Sequence, residues 1–119
     1  MNYAQVERLA RSLPGATRKM EFGPAPVFRV GGKLFLVITL DEHGRPDGLW
    51  FKVEPTSFHI LTQLRGITPC PSMARAGWIA LDGLKRLKPG ELKARIVRSY
   101  ELVAAKLPTK MRRELGIAT

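Results

Sequence analysis

The chain has 119 residues and carries 20 Lys and Arg against 10 Asp and Glu, a formal charge of +10. An apolar fraction of 45% and a charged fraction of 25% are those of a globular protein and argue against disorder; the length suits one domain over residues 1–119. The single cysteine, Cys70, excludes an internal disulfide and fits a reducing compartment. No signal-like stretch follows Met1, and the longest apolar run, Leu34–Ile38, is far too short to cross a bilayer, so the expectation is a soluble cytoplasmic protein with no membrane partner.

Val6, Leu9, Ala10 and Leu13 recur at helical spacing behind an Asn2 cap, and Pro14-Gly15 ends that helix. Residues 16–25 hold Gly and Pro without a clear period and read as loop or a short irregular strand. Pro26–Val30 and Lys33–Leu40 flank Gly31-Gly32, which predicts a tight hairpin because both turn positions can take positive φ. A polar connection, Asp41–Gly48, leads to a third strand, Leu49–Val53. Pro55 suits the first turn of a short helix with Phe58, Leu61 and Leu64 on its buried stripe and Gly66 as its stop. Proline interrupts Ile67–Pro71, confining any strand there to an edge, and Trp78–Leu81 reads as a further strand.

After a short basic link, Leu84–Lys88, Pro89 opens the last long helix, whose apolar stripe is Leu92, Ile96, Tyr100, Val103 and Leu107. Pro108 breaks it, and Lys110–Leu115 adds a further turn. This order predicts a single α+β domain, with a mostly antiparallel sheet packed by the N- and C-terminal helices.

The charge is lopsided. From Arg65 onward twelve basic residues stand against four acids, Asp82, Glu91, Glu101 and Glu114. A field of one sign attracts polyanions such as nucleic acid, anionic surfaces or phosphorylated ligands. Lys93, Arg95, Arg98 and Lys106 lie off the apolar stripe of the last helix, but Glu91–Arg95 and Arg98–Glu101 have ion-pair spacing, so this face reads as ordinary solvated surface. The link Lys85-Arg86-Leu87-Lys88, with Arg75 just before Trp78, has only Asp82 nearby. Clustered loop cations of this kind neutralise phosphates without reading bases. Trp50 and Trp78 have rings suited to base stacking, yet their strand-like surroundings favour core or sheet packing.

No catalytic or metal-binding constellation emerges. Cys70 sits between Pro69 and Pro71, and His43 and His59 fall in different elements, with no spacing that pairs a thiol with a base. Two scattered histidines and dispersed acids form no ligand pair. Gly31-Gly32-Lys33 lacks the rest of a phosphate-binding loop and lies between two strands. The expectation is a protein that is not an enzyme and uses no cofactor and no metal.

Ser12-Leu13-Pro14-Gly15-Ala16-Thr17, Phe22-Gly23, Pro26-x-Phe28-x-Val30 and Gly32-Lys33-x-Phe35 resemble the first half of the MmcQ/YjbR-like family. Lys52, Pro69, Trp78-Ile79-x-Leu81, Ser99–Val103 running to Leu107-Pro108, and Lys110-x-Arg112-Arg113-x-Leu115 resemble its second half, so the likeness runs nearly end to end. It implies a CyaY-like (frataxin-like) α+β fold and the role proposed for that family, DNA binding by a double-wing arrangement of β-hairpins. Frataxin-like iron binding depends on an acidic rim, which this basic chain lacks, so iron handling is not carried over. Leu13-Pro14-Gly15, Tyr100, Phe28 and Phe35 fit a scaffold role better than a site.

Together, charge and resemblance lead to an expected nucleic-acid-binding protein, DNA favoured, held by phosphate contacts. Arg75, Lys85, Arg86 and Lys88 are the foremost site residues, with Lys33, Lys52 and Arg65 as further basic positions. The alternative is a protein-interaction module with an acidic partner, or a small-anion-binding module, on the same fold.

Overall fold

Asn2 opens the first helix as a reciprocal cap: its Oδ1 accepts the Gln5 N–H and Gln5 Oε1 accepts the Asn2 N–H, both at 2.8 Å. The computed structural model describes residues 1–117 and shows this helix as α1 (Tyr3–Ser12). Then come β1 (Ala16–Glu21), β2 (Ala25–Val30), β3 (Lys33–Leu40), β4 (Pro46–Lys52) and α2 (Pro55–Leu61). The remainder is β5 (Ile67–Pro69), a single 3₁₀ turn (Ala74–Ala76), β6 (Trp78–Leu81), α3 (Pro89–Ala104) and α4 (Thr109–Glu114). All six strands join one antiparallel sheet in the order β1-β2-β3-β4-β6-β5.

Register explains where the core sits. Phe28, Leu36, Phe51 and Ile79 are partners across β2, β3, β4 and β6, and all four are fully buried. Side chains alternate faces along a strand, so this row forms one apolar stripe, against which α3 lies across β3 and β4. The neighbouring row, Lys19, Val27, Val37, Trp50, Ala80 and Thr68, points to the opposite face. Pairing shifts between Phe28↔Leu36 and Arg29↔Leu34, which leaves Phe35 as the extra residue of a bulge. That insertion lets both Phe35 and Leu36 enter the core. Tyr100 meets Phe35 edge-on at 5.4 Å, and its hydroxyl donates to the Pro14 carbonyl, tying α3 to the end of α1.

The α3 stripe is buried as its spacing predicts, with Leu107 just past the end of the helix. At the β2–β3 turn Gly31 and Gly32 take φ of 57° and 80°, the values the tight hairpin requires. Gly31 has a second constraint: a Cβ there would lie 2.7 Å from the Leu107 methyls, so the end of α3 rests directly on the turn.

Three boundaries differ from the sequence reading. Residues 16–21 form a regular edge strand; Arg18, Lys19 and Glu21 obscure its period, and pairing with β2 supplies the order. The β3–β4 ladder continues through Thr39↔Gly48 to Leu40↔Pro46, so β4 begins inside the polar connection. Helix α2 stops at Leu61, before Gly66, because the N–H groups of Gln63 and Leu64 bond three residues back and Thr62 Oγ1 donates to the Phe58 carbonyl. Leu64 is therefore off the buried stripe and 45% exposed.

Phe22 lies at the β1–β2 tip, 63% exposed, with φ of 53°. A side chain in the left-handed region costs about 1–2 kcal/mol, whereas glycine adopts it freely but loses more entropy on folding. Phe22→Gly is expected to raise the unfolding free energy by about 0.5–1 kcal/mol, read from a denaturation midpoint. A lowered midpoint would mean that the exposed ring contributes packing.

Candidate anion-binding pocket

The functional geometry starts from one hydroxyl. Strands β3 and β4 pair as far as Leu36↔Phe51, and the next rung is made by Ser99 of α3. Its Oγ donates to the Phe35 carbonyl at 2.7 Å and accepts the Lys52 N–H at 2.9 Å. This fully buried serine fixes α3 over the end of β4 and brings Leu102 and Lys106 beside Lys52. From the other side, the Val53 N–H donates to the Gly77 carbonyl at 2.9 Å, which holds the 3₁₀ turn and Arg75 against the same strand end.

These elements and α2 line a half-open pocket of about 560 Å³. Lys52, Arg75 and Lys106 line it with His59, and Phe58 and Leu102 supply apolar walls. Phe58 and His59 meet edge-on at 5.9 Å. Among the described residues, none of the three cations has a carboxylate within 4.0 Å. Glu54 also lines the pocket, but it accepts from Arg98 Nε at 3.2 Å. Burial first, and the neighbouring Lys106 ammonium second, hold the Lys52 amine below its ordinary pKa. The pocket therefore concentrates positive charge where solvent is partly excluded.

The structure brings Lys52 and Arg75 together and adds Lys106, which sequence reasoning left on a solvated helix face. Lys33 stands at the same end of the sheet, on the β2–β3 turn. Arg75 and the Lys85–Lys88 link, by contrast, lie beyond opposite ends of β6. Arg86 is committed to Asp82, donating from Nε at 2.6 Å and from a terminal nitrogen at 3.0 Å. The Arg86 guanidinium holds the Asp82 carboxyl below its usual range, and Arg65 adds to the effect. Lys85 lines a separate concavity with Met1, Asn2 and Tyr3, while Lys88 is exposed at the start of α3.

Both expected helix pairs form, Glu91–Arg95 at 3.7 Å and Arg98–Glu101 at 3.6 Å. Trp78 is buried and Trp50 half-buried on the sheet. The Cys70 thiol is buried, pushed up to about 11 by desolvation, and its Sγ lies 3.7 Å from the Pro71 carbonyl. Such a thiol stays protonated at neutral pH. Among the described residues no three His, Cys, Asp or Glu side chains cluster as metal ligands, and no helix is long and apolar enough to cross a membrane.

An antiparallel sheet, helices packed on one face and a pocket lined by cations at one sheet end define a small α+β protein. The chain belongs to the YjbR family, whose model matches residues 11–102. Its fold is similar to that of Deinococcus radiodurans protein DR2400, a DUF419 protein, with a TM-score of 0.84 at 22% identity over 98% of this chain and 89% of that one. A protein from Pseudomonas syringae aligns with a TM-score of 0.64 at 22% identity, over 87% of this chain and 99% of that one. No curated protein matches the chain.

Proposed function

We propose that the protein binds nucleic acid, duplex DNA foremost, through phosphate contacts centred on Lys52, Arg75 and Lys106. The observation that carries this reading is that three cations line one pocket whose only lining carboxylate among the described residues, Glu54, already serves Arg98. Phosphates neutralise such a cluster and release counterions from DNA, so affinity depends on salt according to the number of cations engaged. Lys33, on a hairpin turn at the same sheet end, extends the surface in keeping with the double-wing role proposed for the family. Lys85 and Arg65 lie near Asp82 at the opposite end, where Arg86 contributes less because Asp82 neutralises it.

Anisotropy titrations of a short labelled duplex at several salt concentrations test the reading. The Lys52→Met, Arg75→Gln double variant is expected to bind about tenfold more weakly at low salt, alike for unrelated sequences. Its log K against log salt slope should flatten by about 1 per cation removed. Unchanged affinity and slope in that variant, or no binding by the parent protein at low salt, would sink the proposal.

A further inference from the structure

Concavity separates the Lys52–Arg75–Lys106 site from an ordinary basic patch. A phosphodiester within a duplex lies on a convex backbone with a sugar on either side, so the exposed Arg75 and Lys106 can meet it from the rim without its filling the pocket. A half-open pocket of about 560 Å³ has instead the size to receive a small ligand. Its three cations, set against the one lining carboxylate Glu54 that Arg98 already holds, exceed the single charge of a diester, whereas a phosphate monoester carries about −1.5 to −2 at neutral pH and three acceptor oxygens. The part-buried Lys52 beside Lys106 places two like charges together, an arrangement relieved by a dianion. The apolar walls of Phe58 and Leu102 suit a sugar or base attached to that phosphate.

We infer that this pocket takes a phosphate monoester dianion, supplied by the terminal phosphate of a nucleic-acid strand. The strand as source rests on the nucleic-acid reading above; the phosphate chemistry does not, because a free nucleotide presents the same group.

The experiment titrates the full chain with two duplexes of one sequence, their ends phosphorylated or bare, and separately with a nucleoside 5′-monophosphate. Phosphorylated ends are expected to bind about tenfold more tightly. Lys52→Met and Arg75→Gln should each remove that preference, while Arg65→Gln weakens both duplexes alike. Arg75 is exposed on the 3₁₀ turn, so its variant keeps the test decisive if replacing Lys52 disturbs folding. Equal affinity for the two ends, with no saturable monophosphate binding, overturns the inference even when both duplexes bind, and leaves the nucleic-acid reading standing. Saturable monophosphate binding that Arg75→Gln abolishes, without any end preference, upholds the phosphate site and overturns the strand as its source. Failure of both duplexes to bind at low salt overturns the nucleic-acid reading, and the monophosphate titration then decides the pocket alone.

Discussion

Ser99→Ala is expected to lower the unfolding free energy by about 2–4 kcal/mol, since it strands two backbone groups at once. The hydroxyl satisfies the Phe35 carbonyl and the Lys52 N–H inside the protein, across sequence separations of 64 and 47 residues. Each group left without a partner costs about 1–3 kcal/mol, much more than the small packing change from serine to alanine. Urea denaturation of the two proteins measures the difference. A loss below about 0.5 kcal/mol would mean that β3 and β4 close the missing rung without help. Because the same hydroxyl seats α3 on β4, the variant should also weaken the phosphate binding proposed for Lys52 and Lys106.

A comparably large effect is expected at a position whose φ is ordinary. Gly48 is buried where β4 passes β6, and a Cβ there would lie 2.2 Å from the Leu81 carbonyl oxygen and 3.0 Å from Thr39 Oγ1. The obstacle is backbone of an adjacent strand, so a side-chain rotation cannot clear it. Gly48→Ala should therefore cost about 3 kcal/mol, through displacement of β4 from β6. Gly90→Ala is the matched control. Nothing lies within 4 Å of a Cβ in that first turn of α3, and the change should be neutral or slightly stabilising. Similar midpoints for the two variants would refute the strand-contact account.

What could be read from the sequence follows the range of each signal. The Asn2 cap, the Gly31-Gly32 hairpin and the α3 stripe depend on neighbouring residues, and each forms as read. The family motifs carry the same information in condensed form: Leu13-Pro14-Gly15 ends a helix, and Tyr100 reaches back to Pro14. Strand β1 was only half legible, because an edge strand facing water needs no apolar alternation. The pocket was legible residue by residue but not as a site. Lys52 and Arg75 stood out as cations, yet their meeting with Lys106 depends on Ser99, and a lone serine on an apolar stripe gives no local sign of bridging two strands. The same blindness to distance grouped Arg75 with Lys85 and Lys88, which are near in sequence but separated by a strand.

The two margins of the sheet have a consequence for how this molecule meets others. At one margin β1 presents Arg18, Lys19 and Glu21; at the other β5 is three residues long and ends at Pro69. Charge on one border and proline on the other discourage a foreign strand from docking in register. With lateral growth of the sheet disfavoured on both sides, the strand ends are left as the sheet's other approach, and there side chains rather than open backbone groups meet the surroundings.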